Sequence, residues 1–194
     1  NKTLSERINR YCQGLMMSVL TQGRQFMLAG TELLQSKPCD MSGEEGWKCQ
    51  TTEYDDFEEQ PDNSAFHPNS YKTTDYVNSV KWNHLKYESA KYVMKFMKKL
   101  NKFRNTTEYF RLDTNEKIKN QLHFTKVDIE KQIIEFKISN SDNTKEVVVI
   151  HNFSDNDHFF NTEGEIILSS YRYQRKESSI VYAHSSILLE RDIK

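Results

Sequence analysis

Asn69, Tyr71, Asp75 and Asn78 put two side-chain amides, a carboxylate and an aromatic ring on one polar stretch. Such a set can hydrogen-bond ligand hydroxyls and pack an aromatic face on apolar C–H surface. The same residues admit a structural reading, in which Asn69 and Asp75 close local turns while Tyr71 and the nearby Trp82 pack, Trp82 anchoring the loop. Upstream, Glu32 follows Gly30 at the end of the apolar run 26–29, so a carboxylate stands where an element gives way to a loop. Between them, residues 39–68 carry Glu44, Glu45, Glu53, Asp55, Asp56, Glu58 and Glu59. This cluster lacks the spacing and glycine of an EF-hand calcium loop and reads as a solvated acidic segment. The six histidines (His67, His84, His123, His151, His158 and His184) show no H-E-x-x-H or comparable metal spacing and read as surface or strand residues. Six glycines leave few positions for a phosphate-binding loop, and none is present. No motif requires a cofactor, and calcium at the acidic cluster stays open without a motif to support it.

Of the three cysteines, Cys12 falls on an apolar helix face and reads as a buried hydrophobe. Cys39 and Cys49 bracket the start of the acidic segment; a loop disulfide and two free thiols both remain open, because three cysteines make no framework. With 27 basic and 28 acidic residues the chain has no global field that would attract nucleic acid. No apolar run is long enough to span a membrane. Three Asn-x-Ser/Thr triplets, at Asn1, Asn105 and Asn152, match the glycosylation sequon, a pattern that chance often produces in an Asn-rich chain.

The elements that must position these groups follow from periodicity. Residues 4–20 place Ile8, Cys12, Leu15, Met16, Val19 and Leu20 three and four apart, the stripe of an amphipathic helix with Ser5 as its candidate cap. The run 26–29, ending at Gly30, reads as a buried parallel strand. Residues 87–103 form a second helix with Val93, Phe96, Met97 and Leu100 inward and Lys91, Lys95, Lys98, Lys99 and Lys102 toward water. Beyond Thr106 the rhythm becomes short β-branched or aromatic runs at 122–125, 132–138, 146–151, 165–168, 179–182 and 186–190, separated by polar breaks. That is the pattern of an antiparallel sandwich. The expected division is an α/β piece over residues 1–111 and an all-β module over 112–194.

One strand between two helices cannot make a parallel sheet, whose edges would present unpaired backbone groups. The α/β piece therefore reads as incomplete, expected to expose its apolar flanks and aggregate when isolated.

Two segments carry a family resemblance. Gly23, Phe26, Ala29, Gly30, Thr31, Glu32, Leu33, Leu34, Ser36 and Lys37 resemble the eighth barrel strand of the α-amylase clan as it continues in type I pullulanases and limit dextrinases, members of glycoside hydrolase family 13. Asn69, Ser70, Tyr71, Asp75, Asn78 and Trp82 are similar, at the same spacing, to the loop that follows. The second helix, closing on Phe103 and Arg104, resembles the last barrel helix, and the remainder resembles the family's C-terminal sandwich. The departures are Arg24 and Gln25 in place of an aliphatic residue and Pro, Gln35 in place of Arg, and the acidic insertion.

The resemblance implies the last strand and flanking helices of a (β/α)8 TIM barrel, the seventh helix among them, followed by an antiparallel β-sandwich. It implies retaining hydrolysis of α-1,6 branch linkages in pullulan, starch limit dextrins or glycogen. The family's three catalytic carboxylates would precede residue 1, so none is assigned here, and Glu32 takes a structural role. Asn69, Tyr71, Asp75 and Asn78 would belong to the substrate-binding rim. The implied partners are an α-glucan and the remainder of the enzyme chain. Two other classes remain: a non-catalytic relative serving carbohydrate binding or assembly, favoured by the departures, and an independent sandwich module.

Overall fold

In the computed structural model, residues 3–35, 37–39, 65, 66, 70, 71, 75–161, 163–176 and 178–193 are described. Helix α1 (Leu4–Val19) starts one residue before the expected cap Ser5 and buries Ile8, Cys12, Leu15, Met16 and Val19, the stripe its spacing demands. Burial pushes the Cys12 thiol up to about 12, which keeps it protonated and inert as a thiolate nucleophile.

The next segment departs from expectation. The run 26–29 forms no strand among the described residues; Phe26 is fully exposed and Leu28 largely so. A parallel strand is held by neighbours on both sides. No described segment pairs with this run. A 3-10 turn (Thr31–Leu33) follows, entered at Gly30 (φ 93°) and left at Leu34 (φ 56°), both left-handed. Then come the short antiparallel pair β1 (Pro38–Cys39) and β2 (Ala65–Phe66), helix α2 (Asp75–Asn78), a second 3-10 turn (Trp82–Lys86) and helix α3 (Glu88–Thr106). In α3, Val93, Phe96, Met97 and Leu100 are buried and the five lysines are exposed, as the periodicity requires.

Helix α4 (Asn115–Gln121) opens the rest of the chain, its first turn capped by the Thr114 hydroxyl accepting from Lys117 N at 3.2 Å. Seven strands follow: β3 (Leu122–Asp128), β4 (Ile133–Ser139), β5 (Lys145–Asn152), β6 (His158–Phe159), β7 (Glu165–Ser169), β8 (Ile180–Val181) and β9 (Ser185–Asp192). Five build an antiparallel sheet in the order β3-β4-β5-β9-β7, and β6 pairs with β8 in a separate ribbon. One core gathers Ile133, Val148, Ile150, Ile166, Val181, Ile187 and Leu189, with Phe160 against it. Val147, Val149 and Leu188, which alternate with core residues along β5 and β9, are also buried, so these central strands are covered on both faces.

The described residues group into two units, one drawn from 1–4 and 26–95 and the other from 5–25 and 96–194. Within the second unit, Gln13 of α1 donates its amide to Asn152 O (2.8 Å) and Ser185 O (3.0 Å), at the end of β5 and the start of β9. Arg104 of α3 is buried and donates to three carbonyls past the end of the α1 ladder, Val19 O, Thr21 O and Gly23 O, at 2.6, 2.6 and 2.5 Å. A helix leaves its last carbonyls without partners, and the guanidinium fork supplies donors and a compensating charge there. Burial, and then the nearby Arg111, lower the Arg104 pKa. Across the sheet, buried Glu146 of β5 takes Lys137 of β4 at 3.0 Å and Arg191 of β9 at 2.7 Å.

Gly164, just before β7, sits at φ 147°, and a Cβ there would lie 2.8 Å from Glu190 O and 2.9 Å from Leu189 Cδ1. Both the backbone conformation and the approach to β9 exclude a side chain. Gly164→Ala is expected to destabilise the sheet unit by roughly 2 kcal/mol, read as a lower urea midpoint at constant m-value. An unchanged midpoint would refute this packing.

Candidate functional site

In the unit containing α2, the left-handed turn at Gly30 sets the path of the chain toward Lys37. The Gly30 carbonyl accepts from Leu33 N (2.9 Å) and Gln35 N (3.1 Å), which closes the turn tightly after Leu28. The turn is held from outside by His84, whose Nδ1 donates to Leu33 O at 3.0 Å, since a carbonyl can only accept. His84 is fully buried, contrary to the surface or strand position expected, while Trp82, expected to anchor the loop, is largely exposed. The buried imidazole is satisfied there by the Leu33 carbonyl.

Lys37 reaches Asn78 at the end of α2, donating to Asn78 Oδ1 at 3.0 Å and to Asn78 O at 3.5 Å. Burial, and then the charge of Lys81, hold the Lys37 pKa below its usual value. The other end of the Asn78 amide, Nδ2, donates to Ser70 O at 2.8 Å. Asn78 thus bridges the segment after the first turn to the residue immediately before Tyr71. Tyr71 is 86% exposed. Asp75 is exposed at the first position of α2, and its carbonyl accepts from Ser79 N at 2.7 Å. Asn69 lies outside the described residues, as do Cys49 and most of the acidic segment. Glu32 is half-buried in the 3-10 turn.

Three of the four residues named from sequence are described, and they divide by what they do. The Asn78 amide is engaged at both ends, whereas Tyr71 and Asp75 present a ring and a carboxylate to solvent. Lys37, quoted in the motif but given no role there, is the residue sequence reasoning missed. Its position in the run ending at Ser36-Lys37 was the one available signal. Asn78→Ala removes the bridge, and faster amide exchange at Ser70 and Tyr71, by roughly tenfold for about 1.4 kcal/mol of lost local stability, is the expected result. Unchanged exchange would mean that other contacts fix Tyr71. Among the described residues no group of three or more His, Cys, Asp or Glu side chains could hold a metal, and no helix is long and apolar enough to cross a membrane.

No family model matches the sequence, and no curated protein matches it. Solved structures do. The pullulanase of Anoxybacillus sp. LM18-11, solved with maltotetraose, superposes with a TM-score of 0.70 at 17% identity, covering 98% of this chain and 24% of its own. The catalytic module of SpuA, a multi-modular glycogen-degrading pneumococcal virulence factor, gives 0.71 at 19% identity over 95% of this chain and 31% of its own. The chain has the fold of a pullulanase segment. The Group B Streptococcus pullulanase SAP agrees, with a TM-score of 0.71 at 14% identity over 96% of this chain and 28% of its own. The segment shared with these pullulanases is their C-terminal region. At these identities the likeness is one of fold, and this chain spans less than a third of the pullulanase chains it matches.

Proposed function

We propose that this chain is the C-terminal part of an α-1,6-glucan debranching glycosidase: the closing elements of a (β/α)8 barrel followed by a β-sandwich. The observation that carries the reading is the near-complete coverage of this chain by one C-terminal portion of several pullulanases. The motifs around Gly30 and Tyr71 support it from sequence. In this reading the exposed Phe26 and Leu28 are the flanks of the last barrel strand, covered when the remaining strands pair with it.

The chemistry would be retaining hydrolysis, with a nucleophilic carboxylate and an acid/base carboxyl about 5 Å apart across the scissile bond. Both, and the third family carboxylate, belong to the upstream part of the barrel, whose strand ends converge on one rim. This chain contributes to the rim. The Tyr71 ring packs on the C–H face of a glucosyl unit, the Asp75 carboxylate accepts from hydroxyls, the Asn69 amide accepts from or donates to them, and Lys37 acts through Asn78 as a positioning residue.

The test is a reducing-sugar assay of the natively isolated protein on pullulan, with product analysis. Maltotriose as the released unit is expected. Glucan binding without any cleavage would favour the non-catalytic relative that serves carbohydrate binding or assembly.

A further inference from the structure

On the sheet unit, the β6-β8 ribbon and the loop preceding β8 enclose a cleft of about 650 Å³, within the roughly 300–1,000 Å³ of small-ligand sites. Its apolar walls are Phe159, Ile180 and the ring of Tyr182; Arg175, Ser178 and Ser179 supply polar groups. Phe159 is 73% exposed, an unusual position for a phenyl ring on a strand that pairs in register with Ile180. Its exposure is not needed for the core, which is built from other residues.

The walls are held in place before any ligand arrives. Tyr182 stacks on Tyr171 with ring centroids 4.1 Å apart, and its carbonyl accepts from Asn152 Nδ2 at 3.2 Å and Ser185 Oγ at 2.7 Å. Phe160 N donates to Ser179 O at 3.0 Å, and Gln174 Nε2 donates to Arg175 O and Ile180 O, tying the loop to β8. A cleft with one aromatic wall and its loop backbone already tied in place gives up less conformational freedom on binding.

The chemistry selects a neutral polyol over an anion. Of the two cations described at the cleft, Lys176 is paired with Glu165 at 2.8 Å, and among the described residues Arg175 has no ion-pair partner. One guanidinium, two serine hydroxyls and flat apolar walls suit a ligand that has C–H faces and many hydroxyls. We infer that the cleft lined by Phe159, Tyr182 and Arg175 binds glucosyl units of an α-glucan chain. The choice of glucan rests on the proposed function; the amphipathic cleft itself does not.

Affinity electrophoresis of the full protein through gels containing glycogen, with free maltotetraose as competitor, tests this. Phe159→Ala is expected to weaken retardation roughly tenfold and Arg175→Ala roughly threefold. Both side chains are exposed, so far-UV circular dichroism should stay unchanged, and the Arg175 variant keeps the test valid if the Phe159 variant misfolds. Retardation equal to wild type in both cleft variants, absence of retardation in the wild-type protein, or failure of maltotetraose to compete would overturn the inference. Loss of pullulan cleavage with glycogen retention intact would count against the debranching reading alone.

Discussion

Arg104→Met should lower the stability of the native protein by about 3 kcal/mol, the largest loss expected from any single contact described above. The guanidinium donates to Val19, Thr21 and Gly23 carbonyls from a buried position. Methionine fills similar volume but leaves all three acceptors without that donor, and the penalty arises mainly from desolvated carbonyls. Arg104→Lys should recover only part of the loss, because one ammonium lacks the planar fork that meets three diverging acceptors. Equilibrium urea unfolding would show a lower midpoint at constant m-value. Equal stability of the Met and wild-type proteins would mean that water serves these carbonyls and that Arg104 is not the tie between α1 and α3.

The second large effect is pH dependence. His151 on β5 is buried, between the rings of Phe136 and Phe153, with Nδ1 2.6 Å from Ser186 Oγ. Burial lowers its pKa from 6.5 to about 4. Between these values the unfolded chain takes up a proton that the folded chain refuses, so stability falls as pH drops through that window and levels off below it. The full loss is roughly 3 kcal/mol. His158, lowered first by burial, adds to the loss with the same sign. Glu146 acts at lower pH. Burial raises its pKa, but Lys137 and Arg191 outweigh this and hold it below its usual value. Its stabilisation, present above the ordinary carboxylate range, disappears as pH falls through the folded value. Unfolding free energies measured from pH 6.5 down to about 5.5, above the ordinary carboxylate range, therefore isolate the histidines, and His151→Gln should flatten most of the slope. A wild-type slope retained in that variant would assign the effect elsewhere.

The periodic parts of the fold were legible in the sequence and the rest was not, for reasons that differ by residue. Helices α1 and α3 declared themselves because their apolar residues recur at helical spacing over four or more turns. The strands β4, β5 and β9 did so through short apolar runs, rich in β-branched residues in β4 and β5 and reading Ile-Leu-Leu in β9. Helix α4 left no such trace, since it buries none of its residues and depends on the Thr114 cap. Strand β6 is two residues long and lies beside a polar break. The run 26–29 carried the composition of a buried strand, but composition says nothing of whether a pairing partner is at hand. For the candidate site, residue types and spacing marked Asn69, Tyr71, Asp75 and Asn78 as a group. The bond from Lys37 to Asn78 spans 41 positions and has no local signature. The burial of His84 rests on its bond to Leu33 O, which spans 51 positions and likewise has no local signature.

The debranching reading joins the two kinds of information. The fold likeness places nearly all of this chain beside the C-terminal portion of pullulanases, and the local motifs suggest which side chains would meet a glucan. The intact mass, under denaturing conditions, of the natively isolated protein, with its cleavage of pullulan assayed alongside, is the most direct test. The account predicts a chain, or a tightly associated partner, large enough to supply the remaining barrel strands and their carboxylates. A lone species near 23.0 kDa that leaves pullulan uncut would contradict it.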